Sequence, residues 1–231
     1  MSFEGVVVLI TGVSGGIGYT LANILHEYGA TVIGVYYQNP LKDVLFDTYK
    51  CDISREQDVQ ELFNYLKDKH EKLDVVVNCA ALCLDNDIFD KNIDEFMQVL
   101  KINLGGTFLI NKYAAKLMNR GIIINLSSTD ATDTYNPLSL DYSASKAGVE
   151  NLTKNLALRF PKLKICALAP NWVNTPAVLN MNPEYLKSEM ERIGQKKLLK
   201  KEDVAFKIIE IMINDDYVSG DVIRMDGRSN E

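Results

Sequence analysis

The sequence predicts an α/β fold, a doubly wound parallel sheet of about seven strands with helices on both faces. Three observations predict it. Short β-rich runs alternate with longer segments of helical spacing along the whole chain. Several runs, such as residues 6–11 and 73–78, are continuously apolar, as strands buried on both faces are. No repeat, low-complexity tract or linker interrupts the pattern, so residues 1–231 read as a single domain.

The elements follow in order. The first run ends in Thr11-Gly12-Val13-Ser14-Gly15-Gly16-Ile17-Gly18, and residues 17–28 have helical spacing. Glycines at that junction permit a tight turn and let backbone N–H groups approach a pyrophosphate at the helix N-terminus. The strand before and the helix after separate this motif from a merely structural glycine turn. Residues 31–36 form a second strand that ends in Tyr36-Tyr37-Gln38. No acid stands there to bond ribose hydroxyls or repel a ribose phosphate, and Gly15 stands where a basic residue could clamp one. The balance favours NADP(H) modestly over NAD(H). Tyr36 or Tyr37 could floor an adenine, with simple packing as the alternative.

Residues 50–53 read as the end of a third strand. Ser54, with Gln57 three residues on, reads as a capping box opening a helix to about Lys69. Residues 73–78 give a fourth strand. Residues 93–118 are helical, with a break near Gly105-Gly106. Residues 122–126 give a fifth strand that runs into Ser127-Ser128. A long helix over 142–160, a sixth strand over 163–168, a helix over 202–213 and a strand over 222–225 complete the chain.

Composition narrows the function. Of 231 residues, 47% are hydrophobic and 24% charged, which suits an ordinary globular protein able to bury a sizeable core. The net charge of -6 argues against nucleic acid or an anionic membrane as partner. No apolar run approaches the ~20 residues that span a bilayer, and the N-terminus does not read as a signal peptide. Cys51, Cys79, Cys83 and Cys166 form no Cys-x-x-Cys pair, and the two histidines, His26 and His70, sit in helical segments. No metal site is expected, and reduced thiols suit a cytoplasmic protein.

Tyr142 and Lys146 stand four apart at the start of the long helix, stacked on one face. An ammonium beside a phenol favours the phenolate, which would let the tyrosine exchange protons nearer neutral pH. The spacing alone is weak, since Tyr65 and Lys69 share it within the charged stretch Asn64-Tyr65-Leu66-Lys67-Asp68-Lys69, which reads as a solvated face. Context separates the pairs: only Tyr142 and Lys146 follow a strand that ends in Ser127-Ser128.

Together these pieces resemble the short-chain dehydrogenase/reductase family in its compact form, over nearly the whole chain. The glycine turn matches at Thr11, Gly12, Gly16 and Gly18. Cys51-Asp52-Ile53 resembles the segment that meets the adenine. Asn78-Cys79-Ala80-Ala81 resembles the stretch after the fourth strand, with Cys79 and Ala81 as departures. Asn103, Ser128, Tyr142 and Lys146 match the family's active-site residues. Pro170-Asn171-Trp172-Val173-Asn174-Thr175 resembles the turn beside the nicotinamide, with Asn171 in place of glycine; asparagine tolerates the left-handed conformation such a turn could need. Ser219-Gly220-Asp221-Val222 and Asp226-Gly227 resemble the C-terminal strand and turn.

The resemblance implies a Rossmann-type sheet and hydride transfer between a nicotinamide cofactor and a small-molecule carbonyl or alcohol, with 3-oxoacyl thioester reductases the most similar subgroup. Tyr142 would donate the proton, Lys146 would lower its pKa and hold the ribose, Ser128 would bond the substrate oxygen, and Asn103 would hold a relay water. Gly12, Ser14, Gly16, Ile17, Gly18, Tyr36, Asp52, Ile53, Asn78, Ala80, Pro170, Val173 and Thr175 would line the cofactor, with Tyr142 and Lys146. Ser127 reads instead as plain strand-end bonding. Residues 176–201 would form a substrate lid carrying Val178, Leu179, Met181, Tyr185, Leu186 and Met190, a stripe that suits a hydrophobic substrate or ordinary packing. Lys196, Lys197, Lys200 and Lys201 read as a solvated charged face rather than a carrier-protein dock. A homodimer or homotetramer packed through 93–118 and 142–160 is implied. The alternatives are a nucleotide sensor or scaffold with little turnover, and a sugar-nucleotide enzyme, for whose larger second domain the C-terminal portion is short.

Overall fold

A computed structural model describes residues 1–227; residues 228–231 of the expected domain lie outside the described residues. Its centre is β1 (Val7–Thr11), flanked on one side by β2 (Thr31–Tyr36) and β3 (Asp47–Lys50). On the other side lie β4 (Val75–Asn78), β5 (Gly121–Leu126), β6 (Leu163–Pro170) and β7 (Val222–Met225). The sheet order is β3-β2-β1-β4-β5-β6-β7, and every neighbouring pair is parallel. The strand order reverses between β1 and β4, which opens a crevice beyond their carboxyl ends.

The central strands are apolar on both faces because both faces are covered. Val8 and Ile10 point to a core shared with Leu21 and Leu25 of α1 (Gly16–Glu27) and Ile208 of α8 (Lys201–Ile213). Leu9, Ile33 and Val76 point the other way, toward α2 (Glu56–Lys69) and α4 (Thr107–Leu117) through Leu62, Leu66 and Ile110. Each such fully buried side chain stabilises the fold by about 1.5–3 kcal/mol, before the cost of ordering the chain is counted.

Three local expectations are corrected. The third strand ends at Lys50, before Cys51, because Asp52 and Ser54 form a turn: Asp52 Oδ1 accepts from Ser54 N at 3.0 Å and from Ser54 Oγ at 2.7 Å. That turn consumes the serine, so no capping box forms; α2 starts after Arg55, and Gln57 bonds Glu61 instead. Between α3 (Ile93–Leu100) and α4 the helix does not break but widens into a π-helical stretch, Lys101–Gly106. Gly106 there packs so closely on Ile53 that a Cβ would lie 2.7 Å from its side chain. This contact ties the helix to the segment following β3.

The long helix α5 (Leu140–Arg159) has no apolar stripe, because its inward residues include Asp141, Ser145, Lys146, Glu150 and Thr153. Two short helices, α6 (Pro176–Leu179) and α7 (Pro183–Ile193), follow β6. Among the described residues, no helix is long and apolar enough to cross a membrane.

Candidate active site

A cleft of about 1110 Å³ runs along the carboxyl ends of the strands, from the loop after β2 to the start of α5. It gathers Gly12, Ser14, Gly16, Ile17, Gly18, Tyr36, Asp52, Ile53, Ala80, Ser128, Tyr142, Lys146, Pro170, Val173 and Thr175. Two expected residues do not line it. Asn78 is buried in the sheet, where its Nδ2 donates to Asn125 Oδ1 at 2.8 Å, in a network that also takes in Asn111 and Thr153. Its side chain braces β4 against β5 rather than facing the cleft. Asn103 is fully buried: its Oδ1 accepts from Leu82 N at 2.7 Å, and its Nδ2 donates to Leu82 O at 2.8 Å and Ser145 Oγ at 3.0 Å. The amide therefore clamps the loop after β4 onto α5, and both of its N–H donors are taken. The main-chain carbonyl of Asn103 accepts from Thr107 Oγ1 at 2.6 Å.

The outer half of the cleft fits a dinucleotide. α1 begins without a capping side chain and without an acid in its first turn, so its N–H groups and positive dipole end remain available to an anion. A Cβ on Gly12 would lie 2.7 Å from Ala80 N, and one on Gly18 would lie 2.5 Å from Gly12 O. Only glycine lets these segments approach so closely, and Gly12 also has φ +75. Ser14 Oγ donates to Asn39 O at 2.9 Å, which fastens the glycine turn to the loop after β2. No carboxylate lies between Tyr36 and Asn39, and among the described residues no arginine lines the cleft.

The inner half holds Ser128, Tyr142 and Lys146. Ser128 caps a 3-10 turn, Thr129–Ala131, its Oγ accepting from Asp130 N at 3.2 Å. Ser127 is structural, donating to Glu150 Oε1 at 3.0 Å. Lys146 is 3% exposed; its Nζ donates to Leu126 O at 2.7 Å and sits 5.4 Å from the centre of the Tyr142 ring. Burial pulls the ammonium down to about 8. The same burial pushes the Tyr142 phenol well above its ordinary value; Cys83, Asp130 and Asp85 add to this, and the Ser128 hydroxyl opposes it. The direction is opposite to the expected lowering of Tyr142 by Lys146, and burial is its largest cause. By contrast Tyr65 and Lys69 bond each other directly at 2.9 Å on an open face, where Lys69 also meets Asp47.

Asn171 does not adopt a left-handed conformation. It shapes its turn through its side chain, with Oδ1 accepting from Trp172 N at 3.0 Å and Nδ2 donating to Asp226 O at 3.2 Å. Ala81 also lies outside the left-handed region, so glycine is not required there. Thr175 caps α6 and presses on Gly16, where a Cβ would lie 3.2 Å from its methyl. The lid stripe is split. Val178 and Met181 line the cleft, Leu179 is exposed, and Leu186 and Met190 line a separate depression of about 570 Å³. Tyr185 exchanges hydrogen bonds with Asn136 at 2.9 and 3.2 Å.

Sequence reasoning missed Leu82, Cys83, Asp130 and Ser139, which also line the cleft. It also missed Lys91, whose Nζ meets Asp141 Oδ2 at 2.7 Å and Leu84 O at 2.5 Å. Asp141 in turn accepts from the Tyr142 N–H at 2.9 Å. Only the position of Asp141 beside Tyr142 hinted at this. Among the described residues no cluster suited to a metal ion occurs, and the cysteines are free.

Comparison with known proteins agrees with this geometry. A family model described as enoyl-(acyl carrier protein) reductase matches residues 12–227. A 3-oxoacyl-[acyl-carrier-protein] reductase of Thermotoga maritima is 30% identical, over 98% of each chain. A 3-hydroxyacyl-CoA dehydrogenase type-2 of Drosophila melanogaster is 31% identical, over 97% of each. The ligand-free aldohexose dehydrogenase of Thermoplasma acidophilum shares the fold, with TM-score 0.87 at 24% identity, covering 97% of this chain and 94% of that one. With the glycine turn, the strand-end serine and the tyrosine–lysine pair in one cleft, and a family match over most of its length, the chain belongs to the short-chain dehydrogenase/reductase family of nicotinamide-dependent oxidoreductases.

Proposed function

We propose that the protein interconverts a carbonyl and an alcohol, with NADP(H) modestly favoured over NAD(H). The observation that carries this is Ser128, Tyr142 and Lys146 meeting at the inner end of a cleft whose outer end is a bare helix N-terminus. When bound, the nicotinamide supplies or takes up the hydride. Tyr142 hands a proton to the substrate oxygen during reduction and removes one during oxidation. Ser128 fixes that oxygen by a hydrogen bond. Lys146 holds the nicotinamide ribose, and with a pKa near 8 it passes protons at neutral pH. Asn103 holds a water that relays protons to Lys146. Gly12, Gly16, Ile17 and Gly18 hold the pyrophosphate, and Ser14 holds their turn in place. Tyr36, Asp52 and Ile53 flank the adenosine. Ala80, Pro170, Val173 and Thr175 flank the nicotinamide half.

The absence of a carboxylate over residues 36–39 supports NADP(H). The relatives' names make a 3-oxoacyl thioester the first substrate to try, and Val178 and Met181 offer a chain some apolar surface. We place the protein in the cytoplasm as a homodimer or homotetramer packed through the helices around residues 93–118 and 142–160; a monomer by light scattering would contradict the assembly. The central test is oxidation of NADPH and NADH with a short 3-oxoacyl thioester and a panel of ketones. Turnover of any carbonyl supports the reading. Tight cofactor binding with no turnover across the panel overturns it in favour of a nucleotide sensor.

A further inference from the structure

The substrate end of the cleft holds a carboxylate that none of the steps above uses. Asp130 lines the cleft two residues beyond Ser128, yet is only 9% exposed. Its main-chain N–H donates to Ser128 Oγ at 3.2 Å, and its Oδ1 accepts from Thr134 Oγ1 at 2.5 Å. Arg192 of the lid donates to Thr134 O at 2.9 Å and Tyr135 O at 2.8 Å, so this turn is pinned. The other oxygen, Oδ2, accepts no hydrogen bond among the described residues. Asp85, whose Oδ1 is taken by Ser139 and Cys83, does not line the cleft.

Oδ2 is not one of the buried atoms left without a partner, so it opens on the cleft, and a carboxylate can only accept. Burial already raises the Asp130 pKa, while the Thr134 hydroxyl and the Arg192 charge favour the ionised form. Asp130 also lies near enough to the Tyr142 phenol to disfavour its ionisation. A group seated between Tyr142 and Asp130 therefore meets the proton donor on one side and an unfilled acceptor on the other.

We propose that Asp130 determines specificity by accepting a hydrogen bond from a hydroxyl on the carbon next to the reacting one. The cleft then selects hydroxylated ketones, aldehydes and their polyols over carbonyls flanked by plain alkyl groups. An ammonium would place a second cation beside buried Lys146, and an unsubstituted acyl chain would put methylenes against the carboxylate, so a hydroxyl fits best. This inference rests on the oxidoreductase reading but not on the thioester.

The test compares hydroxyacetone with butan-2-one, which differ by a hydroxyl in place of a methyl, alongside a 3-oxobutyryl thioester. Each is assayed with NADPH and NADH in the wild type and Asp130→Asn, and cofactor binding is followed by fluorescence. The expected result is a kcat/KM for hydroxyacetone about 10- to 100-fold above butan-2-one. That gap should collapse in Asp130→Asn while cofactor affinity stays unchanged. If the asparagine variant fails to bind cofactor, Asp130→Ser takes its place. Equal rates for the two ketones, a preference for butan-2-one or the thioester, or an undiminished gap in the variant overturns the role of Asp130. No turnover of any carbonyl by cofactor-bound wild type overturns the oxidoreductase reading itself.

Discussion

Replacing Lys146 by methionine should make the protein more stable and inactive. The side chain is 3% exposed, and burial draws its pKa from 10.5 to about 8. At ~1.4 kcal/mol per unit, keeping it charged in the fold costs roughly 3 kcal/mol. Methionine is of similar length and carries no charge, but it forfeits the charge-assisted bond to the Leu126 carbonyl, worth about 1.5–3 kcal/mol. The net gain is at most about 2 kcal/mol near pH 7, a rise of up to roughly 4–8 °C in Tm for a domain of this size. The sign with pH follows from linkage. Below pH 8 the lysine is protonated both folded and unfolded, and the full penalty applies. Between about 8 and 10.5 the unfolded chain binds more protons than the folded one, so the wild type gains stability relative to the variant as pH rises. Urea denaturation of both proteins at pH 7, 8.5 and 9.5 measures this. A variant less stable than wild type at pH 7, or a difference that does not shrink with pH, would refute the burial argument.

Tyr142→Phe should abolish turnover and leave cofactor affinity nearly intact by fluorescence titration; undiminished turnover would remove the tyrosine from the chemistry. Gly12→Ala should weaken cofactor binding at least ~10-fold and cost about 1–3 kcal/mol, because its Cβ would sit 2.7 Å from the Ala80 backbone in a left-handed residue; unchanged titration would mean that the turn relaxes. Lys91→Met should cost about 3–5 kcal/mol by leaving Asp141 buried without its partner, and adding Asp141→Asn should recover part of that loss in thermal melts. A double variant no better than the single would show that the charge pairing is not the cause.

The sheet was legible because its signal is redundant. Continuous apolar runs, spaced by helical segments and opened by a glycine turn, admit few other arrangements, and six of the seven strands fall within two residues of expectation. The exception is β3, where two polar side chains decided the matter: the Asp52–Ser54 turn ends the strand early and removes the capping serine. The long helix expected over residues 142–160 is present as α5, although it carries no apolar stripe. That helix buries Asp141, Ser145, Lys146 and Glu150 inward, so the residues that carry the site are those that erase its amphipathic pattern.

The same contrast runs through the cleft. Glycines and the tyrosine–lysine pair announce themselves by spacing within one segment. Asn78 and Asn103 fit the same motifs, yet their side chains brace strands and loops, because a buried amide must find partners wherever the packing supplies them. Asp130 lies in an unremarked turn, and nothing in its neighbours along the chain sets it apart from Asp133. What distinguishes it is three-dimensional: one oxygen is held by Thr134, Arg192 pins that turn from the lid, and the other oxygen is left for whatever occupies the cleft. Spacing along one segment thus points to the chemistry, while substrate choice depends on contacts between segments far apart in sequence. For this protein the residues between Asp130 and Arg192 are where a change of substrate should be sought, with Tyr142 and Lys146 left in place.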